Sequence, residues 1–193
     1  MKIGIDCDEV LVKFVEVFLE FCKKKEIDGL KYEQITNYHF HELLGLTKEE
    51  LFGLFDEFYL SDMFENLEFI DNAKESLTYL SKENEIYIIT ARPVFTKQKT
   101  INFFEKHLPE IILNIIHTSE TGIKKTKAEI CQELGVEVFI EDRGDYALKC
   151  AREGIKSFLL DKPWNRSIEH PNLYRVCSWD EIIDKLNKRS DLD

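Results

Sequence analysis

The chain has 193 residues, 44% of them hydrophobic and 14 of them Phe, enough to bury one full core plus an insertion but not two independent cores. Its 26 basic and 37 acidic residues leave a formal charge of −11, which argues against a general nucleic-acid-binding surface. No apolar run of about 18 residues occurs, so no membrane span is expected, and an apolar run that opens at residue 2 makes a signal peptide unexpected.

The run Lys2-Ile3-Gly4-Ile5 predicts a buried strand over 2–6 that leads straight into Asp6-Cys7-Asp8-Glu9-Val10-Leu11. Two carboxylates where a buried strand ends are costly unless paired or coordinated, and in open α/β sheets chemistry collects beyond the carboxyl ends of strands. Leu11, Phe14, Val15, Phe18 and Cys22 share one face of a following helix. Further strands are predicted over 85–90, 111–116, 136–140 and 156–160, with a weaker one over 173–176. They alternate with helices over Ala73–Leu80, Lys97–His107, Lys125–Leu134 and Asp145–Arg152, and with a final helix carrying Trp179, Ile182, Ile183 and Leu186 on one face. Gly135 and Gly154 stand where left-handed caps belong, and the end from about Lys188 is expected to fray. Such alternation implies an α/β fold, a parallel sheet covered on both faces.

The interval between the first two strands breaks the alternation. A crossover helix needs roughly a dozen residues, yet about 40 more stand between residues 27 and 70. They are rich in aromatics (Tyr32, Tyr38, Phe40, Phe52, Phe55, Phe58, Tyr59, Phe64), with Thr47 and Glu50 forming a capping box. This predicts a small helical cap, 27–70, inserted into a core formed by 1–26 and 71–188. Of the five cysteines, an odd number without Cys-x-x-Cys pairs, Cys22, Cys131, Cys150 and Cys177 read as small core hydrophobes of a reducing cytoplasm. Cys7 alternates away from its acidic neighbours. The five histidines show no zinc-ligand spacing.

Four features fall at strand ends or helix starts: Asp6 and Asp8; Thr90-Ala91-Arg92-Pro93; Lys124, Lys125 and Lys127; and Glu141-Asp142-Arg143-Gly144-Asp145. Phosphoryl transfer through an aspartyl-phosphate needs such a set. One carboxylate attacks phosphorus, a second acid protonates the leaving oxygen and later activates water, a hydroxyl and a lysine hold the transferring oxygens, and Mg2+ neutralises charge between nucleophile and phosphate. Asp6 and Asp142 would supply carboxylates to the metal, with the main-chain carbonyl of Asp8 as a third ligand.

In content and order, Asp6-x-Asp8-x-Val10, Thr90, a lysine and Glu141-Asp142 resemble the haloacid dehalogenase-like hydrolases. The resemblance implies a three-layer Rossmann-like core with the first strand central, a C1-type cap, a nucleophile at Asp6 and an acid/base at Asp8. It also implies phosphate contacts from Thr90, Ala91 and Lys127, and Mg2+ as cofactor; the second Asp argues for a phosphatase. Within that superfamily the chain is most similar to the 5′(3′)-deoxyribonucleotidases, from Asp-x-Asp-x-Val-Leu, the short cap beginning near Gln34-Ile35-Thr36-Asn37-Tyr38, and overall size. Tyr38 and Phe40 are then candidates to stack on a base. There are three departures from the family pattern: Glu9 stands in place of Gly, Thr90-Ala91-Arg92 in place of Thr-Ser-Pro, and Glu141 in place of Asp or Gly. Arg92 and Arg143 are expected to help bind phosphate through their forked donors. Asp145 reads as outer support for the metal or as a helix N-cap.

The expected activity is a Mg2+-dependent phosphatase for a small phosphomonoester, a 5′-nucleotidase for (deoxy)nucleoside monophosphates. The alternatives are a phosphatase for sugar phosphates or other small metabolites, and a catalytically silent phosphate-binding module. A small molecule is the expected partner, with no nucleic-acid polymer and no membrane. An exposed aromatic face on the cap leaves a homodimer open.

Overall fold

The computed structural model describes residues 1–119 and 125–190; Lys124 of the predicted lysine cluster lies outside them. Among the described residues, six short strands form one parallel sheet: β1 (Lys2–Ile5), β2 (Glu85–Thr90), β3 (Asn114–His117), β4 (Val138–Glu141), β5 (Lys156–Leu160) and β6 (Leu173–Val176). Their order is β3-β2-β1-β4-β5-β6, with β1 central. The chain reverses direction across the sheet between β1 and β4, where open α/β sheets form a ligand crevice at their carboxyl edge.

Side chains alternate between two faces. Ile86, Ile88, Val138 and Ile140 point into a cluster with Phe14 and Phe18 of α1 (Phe14–Lys24). Into the opposite face point Tyr87, Ile89 and Phe139. Gly4 lies on that second face, where a Cβ would stand 2.9 Å from the Phe139 ring and force that side chain to shift.

Between α1 and β2 come a 3₁₀ turn over Tyr32–Gln34, α2 (Phe40–Leu44), α3 (Lys48–Leu60), α4 (Asp62–Glu65) and α5 (Ala73–Leu80). The capping box at Thr47 is present: Glu50 N donates to Thr47 Oγ1 at 3.2 Å, and Thr47 N to Glu50 Oε2 at 2.8 Å. Ile35, Phe40, Leu51, Leu54, Phe58 and Phe64 belong to the same buried cluster as the sheet's first face. The aromatics therefore weld the 27–70 segment to α1, with Phe18 stacked on Phe55 (centroids 4.5 Å apart) and Phe14 edge-on to Phe58 at 5.2 Å.

Four helices complete the chain: α6 (Lys97–His107), α7 (Lys127–Leu134), α8 (Gly144–Arg152) and α9 (Trp179–Ser190). Phe103 and Phe104 of α6 and Trp179 and Ile182 of α9 join the first face, while Ala128, Ile130 and Cys131 of α7 and Cys150 of α8 join the second. The result is a three-layer α/β/α core. Among the described residues no helix is long and apolar enough to cross a membrane.

Several expectations change at their edges. Leu11 is buried but lies before α1, in a turn closed by Leu11 N and Val12 N donating to Cys7 O at 2.9 and 3.1 Å. β3 begins at Asn114 rather than 111; the Asn114 side-chain amide donates to Ile86 O at 3.3 Å, and Ile112 before it is 91% exposed. α7 begins at Lys127, since Thr126 caps it by accepting from Glu129 N. α9 spans Trp179–Ser190. Cys177 is exposed, unlike the other four cysteines, so it is no core hydrophobe.

Candidate active site

Strand register sets the site. Ile5 pairs with Ile88 on one side and Ile140 on the other, so Asp6 leaves the sheet level with Glu141 and one step short of Thr90. Asp6 N still donates to Ile140 O at 2.9 Å, which carries the ladder one residue beyond the strand. Lys127, the first residue of α7, reaches under this edge. Its ammonium lies 2.6 Å from Asp6 Oδ1 and 2.7 Å from Glu141 Oε2, and all three side chains are buried.

Asp6, Glu141 and Asp142 each present an oxygen within 4.8 Å of the others. Burial, moderated by Lys127 and reinforced by the charge of Asp8, raises the Asp6 pKa. Burial and the neighbouring Asp6 charge push Glu141 well up, and the same two causes push Asp142 up to about 6. Burial works against the Lys127 ammonium, but the two carboxylates outweigh it and hold the lysine charged above its usual range. The second oxygen of Glu141 turns back on its own loop and accepts from Asp142 N (3.3 Å) and Arg143 N (3.0 Å). The longer arm of a glutamate thus braces the loop and the lysine together.

Asp142 is held from two directions. Its Oδ2 accepts from Tyr38 of the 27–70 segment at 2.8 Å and from Trp164 Nε1 at 2.9 Å. Burial and the Asp142 charge keep the Tyr38 phenol protonated, as a donor must be. Asn165 donates to the main-chain oxygens of Asp142 and Leu160 at 2.6 and 2.7 Å, which ties the β4 and β5 ends together.

The remaining motif residues divide. Asp8 faces the cavity but is gripped by Arg92, whose Nη2 lies 2.6 Å from Asp8 Oδ1. Thr90 is buried, and its hydroxyl accepts from Arg92 N at 3.1 Å; Ala91 lines the cavity. Glu9 adopts a left-handed backbone (φ 59°), a conformation that favours glycine. Its carboxylate offsets the strain by capping α1 through Val15 N (2.7 Å) and by accepting from Tyr32 (2.7 Å) and Lys162 (3.0 Å). Arg143 is sandwiched between the rings of Tyr38 and Tyr146, 4.5 Å from each centroid. Asp145 pairs with Arg143 Nε at 2.7 Å and supplies no side-chain cap to α8, so of its two readings the helix cap is not the one seen. Cys7 is fully buried, and burial pushes its thiol pKa up. Lys125 pairs with Glu133 on the surface.

These groups floor a cavity of about 460 Å³ whose walls carry Tyr38, Phe40, Phe55 and Tyr59. Phe40 is also core, its ring edge-on to Phe55 at 6.4 Å. Sequence reasoning passed over Tyr32, Lys162, Trp164 and Asn165. Three of them lie in Asp161-Lys162-Pro163-Trp164-Asn165, immediately after β5. The rule that strand ends carry chemistry, applied to the fifth strand, points to them.

With this geometry in place, comparison with known proteins is decisive at the level of family. A family model described as "5' nucleotidase, deoxy (Pyrimidine), cytosolic type C protein" matches residues 1–190. The chain belongs to this family. It is thereby a haloacid dehalogenase-like hydrolase, a phosphomonoesterase by class. A nucleotidase of Clostridium acetobutylicum is 27% identical over 195 residues, covering 99% of this chain and 97% of that protein. Among solved structures, a haloacid dehalogenase-like hydrolase of Streptococcus pneumoniae superposes with a TM-score of 0.70 at 15% identity, over 96% of this chain and 97% of that one. YfnB of Bacillus subtilis, solved bound to magnesium, gives 0.67 at 15% identity, over 96% and 98%. These two likenesses establish the fold.

Proposed function

We propose that this chain hydrolyses nucleoside 5′-monophosphates, deoxynucleotides foremost, through a phosphorylated Asp6. The observation that carries the reading is the buried Asp6–Lys127–Glu141–Asp142 cluster flooring an aromatic-walled cavity. The family description points the same way.

The residues present suit a divalent cation. Three buried carboxylates meet one ammonium, so the ionised cluster carries two more negative than positive charges. All its donors are hard oxygens, which favour Mg2+. Asp6, Asp142 and the main-chain carbonyl of Asp8 would hold it. When bound, Mg2+ supplies charge neutralisation between the nucleophile and the phosphate.

The protein's own groups do the rest. An Asp6 oxygen forms a bond to phosphorus as the ester P–O bond breaks, and Asp8 gives its proton to the departing 5′-oxygen. Water then attacks the acyl phosphate and yields a proton to Asp8, and the P–O bond to Asp6 breaks to release phosphate. Lys127 fixes Asp6 for attack. The Thr90 hydroxyl and the Ala91 amide hold phosphoryl oxygens. The 27–70 segment acts as the cap, and Tyr38 and Phe55 offer ring faces to a base. A cytoplasmic location suits five cysteines with no disulfide among them.

Phosphate release from deoxyribo- and ribonucleoside monophosphates and sugar phosphates, with and without Mg2+, tests this. The expected result is Mg2+-dependent turnover with the highest kcat/KM on deoxynucleotides. Turnover confined to sugar phosphates overturns the nucleotidase reading and keeps the chemistry; no turnover on any of them overturns both.

A further inference from the structure

Arg92 is a buried guanidinium at the cavity floor that the chemistry above leaves without a task. Its donors are already committed. Nε lies 3.1 and 3.0 Å from Asp8 Oδ1 and Oδ2, and Nη2 lies 2.6 Å from Oδ1. Nη1 donates to Thr100 Oγ1 at 3.1 Å, and that hydroxyl donates to Thr96 O at 3.1 Å, which anchors the group to the start of α6. The guanidinium carbon sits 4.7 Å from the centre of the Phe64 ring, so one of its flat faces is covered by the 27–70 segment. Its backbone is fixed too: Arg92 N donates to Thr90 Oγ1 and Arg92 O faces His117 Nδ1 at 3.0 Å.

Exposure separates the partners. The Asp8 side chain is 23% exposed and the Arg92 side chain 2%, so the carboxylate fronts the cavity and the guanidinium stands behind it. A phosphate could engage Arg92 only by breaking a bidentate ion pair whose guanidinium is buried, a costly contact to lose.

We propose that Arg92 is the positioning residue of Asp8: its fork aims the carboxylate that exchanges the proton and takes no part in gripping phosphate. This rests on the reading of Asp8 as acid and base. The geometry also selects the oxygen. Oδ1 accepts from two guanidinium nitrogens and Oδ2 from one, so Oδ2 is the oxygen left to pass a proton to the ester oxygen as the P–O bond breaks.

Leaving groups discriminate between the two roles. The kcat/KM value reports steps through formation of the phosphorylated Asp6. A nucleotide's alkoxide needs a proton in that step, whereas the phenolate of p-nitrophenyl phosphate does not. Arg92→Lys keeps the charge and loses the fork. It should lower kcat/KM about 100-fold for a deoxynucleoside monophosphate and under about 5-fold for p-nitrophenyl phosphate, with inhibition by inorganic phosphate unchanged. Thr100→Val, a milder change that removes one anchor, should shift the same ratio in the same direction by a few fold, and it stands in if Arg92→Lys does not fold. Asp8→Asn is the reference for the bias. Equal losses on both substrates with weakened phosphate inhibition would overturn the proposal and make Arg92 a phosphate ligand. If Arg92→Lys shows no bias although Asp8→Asn does, the proposal fails alone. If Asp8→Asn shows none, the acid/base reading fails and takes the proposal with it.

Discussion

Beneath the cavity, the strand ends hold Asp6, Lys127, Glu141 and Asp142 together by charge. Around it, the 27–70 segment is held by rings, Phe55 on Phe18 and Phe58 against Phe14, Phe18 and Phe21. The charged floor satisfies each group with another, so deleting one member strands its partners in a buried setting. The ring-built wall spreads its energy over many contacts, each replaceable by a side chain of similar volume. A floor of this kind fixes reacting groups; a wall of this kind admits changes of shape that alter what is bound without altering the chemistry.

The sharpest way to break this contrast is Lys127→Met. It leaves Asp6 and Glu141 facing each other without a cation, and should cost about 3–5 kcal/mol in denaturant unfolding together with nearly all turnover. Phe58→Ala should cost a similar or slightly smaller amount, about 3–4 kcal/mol, by opening a cavity where the fully buried Phe58 ring stood. Here the folded fraction should keep kcat within a few fold. If Phe58→Ala removes turnover as completely as Lys127→Met does, the division between floor and wall is wrong.

A smaller effect sharpens the boundary between the two regions. Trp164→Phe removes one of the two donors on Asp142 while keeping an aromatic ring in place. Groups that orient a metal-binding carboxylate typically contribute at least about 10-fold in metal affinity. Calorimetric titration with Mg2+ should therefore show about 10-fold weaker binding. Unchanged Mg2+ affinity would remove Trp164 and its hydrogen bond from the account of the floor.

The legibility of the sequence follows the same division. The four clusters at strand ends or helix starts stand out because charge beside a buried strand has few structural uses, and Lys97–His107 and the Thr47 box follow from local pattern alone. Arg92 and Glu9 were visible as departures from a family pattern, but their partners were not. The Arg92–Asp8 pair spans 84 residues and the Lys162–Glu9 pair 153, distances over which no periodicity carries information. Trp164 fell in a loop with no periodic signal, although its place after β5 was a usable clue. The aromatics of the 27–70 segment announced a packed insert, yet nothing in their spacing told which rings face the cavity and which only fill the core, as Phe40 does both.

The measurement that tests the central claim most directly is acid quenching of the protein during turnover of a nucleotide labelled in its phosphate. The account predicts protein-bound label that survives acid, is released by hydroxylamine, maps to Asp6 by mass spectrometry of the peptide, and is absent from Asp6→Asn, whose turnover falls by at least about 10⁴-fold with folding intact. Sustained turnover in Asp6→Asn, or label found on another residue, would contradict it.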